Sequence, residues 1–155
     1  MDKIREIIRK KPRIFLFADL IYLFLVGILT WQIHPPLGAF WYLLGGILGI
    51  FFLDFSEVIF NLTPSPFRSV VFAVPFAGVS FFIVTSSGST FASGLVLSIY
   101  LTMILWQLGE WKALGNLQNW FAMVASPVTL RVQRLSLAVF IGLFLVLTYL
   151  FIRTQ

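Results

Sequence analysis

The chain has 155 residues, 59% of them hydrophobic and 11% charged, with a mean hydropathy of +0.97. Soluble domains carry about 25% charged residues, so this composition excludes a water-soluble globule and makes the bilayer the solvent. The net charge of +5 does not point to nucleic acid, because the basic residues flank hydrophobic runs instead of forming a stripe; the anionic inner leaflet is the expected partner. The absence of cysteine removes disulfides, thiolate nucleophiles and Cys-ligated metals together.

Asp2 to Arg13 (DKIREIIRKKPR) is a basic cytoplasmic segment with six Lys or Arg against two acids, and its Ile4, Ile7 and Ile8 share a helical face. It suits either an amphipathic helix on the inner surface or an unstructured basic stop that orients the first span, since so short a helix is marginal alone. From residue 14 to 155 the chain reads as a single transmembrane domain. Ile14–Ile33 is the first span: it is too long for a signal-peptide core and no A-x-A-like site follows, so it is expected to stay.

Pro35 and Pro36 make a tight connection to the second span, Leu37–Glu57, which carries Gly45, Gly46 and Gly49. Gly45 and Gly49 form a small-xxx-small pair that admits another backbone. At about 100° per residue Glu57 falls below Gly46 and Ser56 below Gly49, so this face points into protein. Asn61–Arg68 (NLTPSPFR) is a loop, and its glycosylation sequon is discounted because it lies on the inner side and is followed by Pro64.

Ser69–Thr85 is the third span, with Pro75 inside it, tolerated in membrane helices or else marking a broken helix that lines a site. SSGST, residues 86–90, is a short loop before the fourth span, Phe91–Gly109, where Gly94, Ser98 and Thr102 repeat every four residues as a packing seam. Glu110–Ser126 is too apolar for an ordinary loop and too charged to span. Trp111, Leu114, Leu117 and Phe121 recur at helical spacing, which predicts an amphipathic interfacial helix ended by Pro127, with these four as anchors in the acyl boundary; the rival is docking of the same face onto the bundle. Leu135–Ile152 is the fifth span. The expected fold is therefore an all-α, multi-pass cell-membrane protein: a bundle of five transmembrane helices with an interfacial helix between the fourth and fifth. Placing the N-terminus inside and the C-terminus outside puts ten basic residues on the cytoplasmic side and only Arg153 outside.

Asp19, Asp54 and Glu57 are the acids that matter. A charge inside a span costs about 2.5–3.5 kcal/mol even on the lenient insertion scale, so each must be interfacial, paired or protonated. Together they make a candidate proton or ion site near the cytoplasmic surface, unless Arg13 and Arg68 pair with them to form a structural ion cluster. His34 stands alone, without the Cys, second His or outer acid that a metal site or triad needs. No phosphate loop, HExxH or GxSxG is present, and the residues point to no cofactor, metal or catalytic group. Packing motifs outnumber intramembrane polar residues, which favours an interaction or assembly subunit working through a homo-oligomer or another membrane protein. A small proton- or ion-coupled transporter or channel is the alternative, and a membrane-embedded enzyme the second.

Overall fold

The computed structural model describes residues 11–33, 36–62 and 64–154. Among these are five helices: α1 (Arg13–Ile33), α2 (Pro36–Phe60), α3 (Val70–Ser86), α4 (Thr90–Leu114) and α5 (Leu130–Thr154), with a single 3-10 turn at Pro66–Arg68. The amphipathic face of the N-terminal segment (Ile4, Ile7, Ile8), and His34, lie outside the described residues.

Four helices, not five, are of membrane length. α1, α2, α4 and α5 are apolar and 21 to 25 residues long, whereas α3 has 17 residues. At 1.5 Å per residue α3 is about 26 Å long, short of a hydrocarbon core of about 30 Å. The expected span Ser69–Thr85 has the same length, 17 residues, so the five-span expectation fails on length and not on where the helix ends. Ser69 stops it on one side, its Oγ accepting from the Phe72 N–H at 3.4 Å, and Ser87 and Gly88 (φ 62°) end it on the other. Pro75 sits within the continuous helix.

The expected interfacial helix over 110–126 is also absent. α4 runs on to Leu114 and closes at Gly115, which takes the left-handed conformation (φ 69°) and donates its N–H to the Trp111 carbonyl at 2.9 Å. Residues 115–129 are then turns and bends. Side chains and neighbouring helices hold their backbone: Glu110 accepts from the Asn119 N–H at 2.9 Å, Gln133 from the Leu117 N–H at 2.8 Å, and the Trp120 carbonyl from the Val70 N–H at 2.8 Å. Leu117 and Trp120 are buried in the bundle core, Trp111 and Phe121 are half-buried, and Leu114, on the last turn of α4, is exposed. The apolar spacing thus reports docking onto the protein, not a helix floating in lipid.

α4 is the central element and touches all four other helices. α2 and α4 run parallel, since Gly45 lies against Phe91 and Leu95 while Gly49 lies against Leu95 and Ser98. α3 returns the chain between them, so α1 begins and α5 ends at opposite ends of the bundle. Aromatic faces hold α5 on the outside of α4: Phe140 stacks on Tyr100 with centroids 4.3 Å apart, Phe144 lies 5.6 Å from Tyr100 and 5.2 Å from Tyr22, and Phe151 stacks on Tyr42 at 4.9 Å. Large apolar side chains such as Phe24, Ile28, Leu48, Phe82 and Leu145 point outward, as the lipid solvent requires. The chain is a multi-pass, all-helical integral membrane protein, as residence in the cell membrane demands.

Candidate functional site

The packing seam comes first because it positions everything else. A Cβ on Gly45 would collide with the Phe91 carbonyl, one on Gly49 with the Leu95 carbonyl, and one on Gly94 with the Tyr42 carbonyl. Only glycine lets the backbones of α2 and α4 meet this closely. Gly46 faces the other way and receives the Leu23 side chain of α1. Ser98 continues the α4 seam against Gly49, and Thr102, one turn on, is fully buried among charged groups.

Those charged groups occupy the end of the bundle where α1 and α3 begin and α2 and α4 end. Lys11, just ahead of α1, is buried; its Nζ lies 2.7 Å from Asp19 Oδ2 and donates to the Ile50 carbonyl at 2.8 Å and to Thr102 Oγ1 at 3.3 Å. Thr102 Oγ1 in turn donates to Asp19 Oδ2 at 3.3 Å. One ammonium therefore ties α1, α2 and α4 together.

Arg68, at the close of the 3-10 turn, makes the second cluster. Asp54 and Glu57 are three residues apart on α2 and share a face. Arg68 Nη2 donates to Asp54 Oδ1 at 2.8 Å and to Glu57 Oε2 at 2.9 Å, while its Nε donates to Glu57 Oε1. The guanidinium lies over the Trp106 ring with Cζ 3.8 Å from the centroid, a cation–π contact. Phe15 packs edge-on against the same indole at 5.8 Å. Both carboxylates are nearly inaccessible, so pairing is what makes their burial tolerable.

The three acids singled out in the sequence are thus divided between two bases. Asp54 and Glu57 share Arg68; Asp19 pairs with Lys11, and Arg13 is exposed. Lys11 was hidden within the basic run, although Asp19, two turns further on, needed a cation within reach. In the sequence Trp106 reads as an inner-belt anchor, as a tryptophan near a helix end does, and Gln107 and Ser65 carry no motif.

Beside the Arg68 cluster is a cavity of about 610 Å³, bounded by the start of α1, the 64–68 segment, the last turns of α4 and residues 119 and 122. Its lining is mostly apolar, but Ser65, Arg68, Trp106, Gln107 and Glu110 contribute to it. Four buried polar atoms of these side chains have no hydrogen-bond partner: Ser65 Oγ, Arg68 Nη1, Trp106 Nε1 and Gln107 Oε1. Among the described residues no three His, Cys, Asp or Glu side chains gather as a metal-ligand set. At the other end of the bundle, polar groups turn back onto their own helices, Thr30 to the Val26 carbonyl and Ser80 to the Phe76 carbonyl, each at 2.8 Å. Comparison with protein-family models, curated proteins and solved structures finds no match, so the chemistry of this site is read from its own geometry.

Proposed function

We propose that the protein is an interaction or assembly subunit of a membrane complex, in preference to a transporter or an enzyme. The observation that carries this reading is an apolar groove of about 330 Å³ between α3 and α5, floored by Ala73 and Ala77 and walled by Val74, Val139 and Leu143. Small side chains at its floor let a further helix approach closely, which is how helices associate where lipid tails are as apolar as leucine. α3 is shorter than a bilayer core and buries only Ala73, Ser80 and Val84, so most of its surface is available to a neighbour. The pairing of Asp19, Asp54 and Glu57 with internal bases supports the same reading. A proton or ion carrier would have to break those pairs in every cycle, and breaking a buried pair costs about 3–5 kcal/mol.

Extraction in mild detergent tests the proposal. The native chain should elute with a second membrane protein or a second copy of itself, and Ala77→Phe, which fills the groove, should release it without unfolding the bundle. A monomer in both cases, or proton flux into liposomes that Glu57→Gln abolishes, would overturn the assembly reading.

A further inference from the structure

We infer that the cavity beside Arg68 binds the headgroup of a zwitterionic phospholipid bearing a primary amine. Its volume of about 610 Å³ is far beyond a packing void and falls within the range of about 300–1,000 Å³ that small-molecule sites occupy. It lies at the end of the bundle where α1 begins and α4 ends, with Trp106 in its wall, and tryptophan belongs at headgroup depth. A phospholipid is the molecule that always stands there.

The lining selects among phospholipids. Arg68 spends Nε and Nη2 on carboxylates and leaves Nη1 without a partner, as are the Trp106 indole N–H and the Ser65 hydroxyl. These donors suit a phosphate, for which a guanidinium is the preferred ligand. A purely anionic headgroup is nevertheless a poor fit. Asp54 and Glu57 already outnumber the one guanidinium, and Glu110 adds a third carboxylate to the same neighbourhood. A second, positive group restores the balance, and the cavity offers it the Glu110 carboxylate and the unpartnered Gln107 Oε1.

The spacing agrees as well. Trp106 and Glu110 are one turn apart on the same side of α4 and both line the cavity, so one headgroup carrying a phosphate and an amine has a group for each. A primary ammonium donates three hydrogen bonds, as a lysine does, whereas a quaternary amine donates none to Glu110 or Gln107. Phe15, Leu53 and Met103 supply the apolar part of the cavity wall, with Leu53 and Met103 buried in the bundle core behind it.

Native mass spectrometry of the full chain, released from vesicles of equal parts phosphatidylethanolamine, phosphatidylcholine and phosphatidylglycerol, tests the inference. One phosphatidylethanolamine should stay with each chain while the other two are stripped. Trp106→Phe keeps an aromatic ring beneath Arg68 but removes the N–H along with the second ring of the indole; Glu110→Gln removes the charge. Each should lower retention about fivefold, the first by losing one hydrogen bond and the second by losing the charge that strengthens one, and soluble glycerophosphoethanolamine should fail to displace the lipid. Equal retention of all three lipids, preference for phosphatidylglycerol, no retained lipid, or displacement by the soluble headgroup would each overturn it. The lipid preference of the native chain decides the matter even if a variant fails to fold.

Discussion

Gly45→Ala and Gly142→Ala are the same chemical change on two membrane helices, and the structure expects them to have opposite signs. A methyl at position 45 would run into the Phe91 carbonyl oxygen, with the Phe91 carbonyl carbon at 2.9 Å and the Leu95 nitrogen at 3.2 Å. All three atoms belong to backbone, so no rotamer can relieve the overlap and α2 must move away from α4 by roughly 1 Å, forfeiting a quarter to a half of the attraction at each contact along the seam. Overpacking in close-packed interiors costs about 1–3 kcal/mol, and a backbone-on-backbone overlap belongs at the upper end, about 3 kcal/mol. At position 142 an added Cβ meets nothing within 4 Å. There the change recovers only the helix-propensity difference between alanine and glycine, about 0.8–1.0 kcal/mol in favour of the variant. The two variants should therefore differ by about 4 kcal/mol in reversible unfolding by sodium dodecyl sulfate from mixed micelles, followed by circular dichroism. Agreement of the two within about 0.5 kcal/mol would refute the claim that α2–α4 contact is a backbone seam.

Three further outcomes are expected. Lys11→Met leaves Asp19 buried with only Thr102 to bond, and should cost about 3–5 kcal/mol in the same titration; adding Asp19→Asn should recover most of it, and a double variant no better than the single would disprove the pair. Gln133→Leu strands the Leu117 N–H and frees the Val128 carbonyl, to which Gln133 Nε2 donates at 3.0 Å. A loss of about 1–3 kcal/mol should accompany faster deuterium exchange at Leu117, whereas unchanged exchange would show that the 115–129 segment is held by other means. Spin labels at Leu117→Cys and Leu114→Cys, clean because native cysteine is absent, should differ in access to lipid-dissolved quenchers: position 114 open, position 117 protected. Equal access would restore the interfacial helix.

Much of this was legible in the sequence because bilayer chemistry is coarse. Four apolar runs of membrane length, and glycines spaced to admit a backbone, are visible as letters. The errors arose where local geometry overrode composition. The run from Ser69 to Thr85 is apolar and already counts 17 residues, the length of α3; the error was to let apolar composition outweigh a length short of a bilayer core. Trp111, Leu114, Leu117 and Phe121 keep helical spacing although only the first two are helical; Gly115, at φ 69°, breaks the helix between them, and the later pair is spaced by turns. Asp19 announced itself as costly, yet its partner came from the basic run ahead of α1. Arg68 was within reach of the sequence as a partner for Asp54 and Glu57, which lie only 14 and 11 residues before it; chain distance concealed Trp106, which meets that guanidinium only once α2 and α4 lie side by side.

Two unlike forces thus organise the interior, and they divide the bundle. The glycine seam is steric and sets how closely α2 and α4 lie, but a smooth seam alone would let the helices slide. Lys11 and Arg68 add direction. Each is a short, oriented link between segments remote in sequence, the first joining the start of α1 to the Ile50 carbonyl and Thr102, the second joining the 3-10 turn to Asp54, Glu57 and the Trp106 face. A buried ion pair adds little net stability against a well-packed apolar substitute, so the return on these charges is register, with α1, α2 and α4 fixed relative to one another. Neither force acts on the far side. α5 is held by aromatic faces, by Tyr100 donating to the Phe140 carbonyl at 3.1 Å, by Tyr22 and Thr148 at 2.8 Å, and by the Gln133 amide on the loop. α3 buries three side chains. The least constrained pair of helices is therefore the pair that encloses the apolar groove, where a rigid three-helix core leaves a neighbour something to complete.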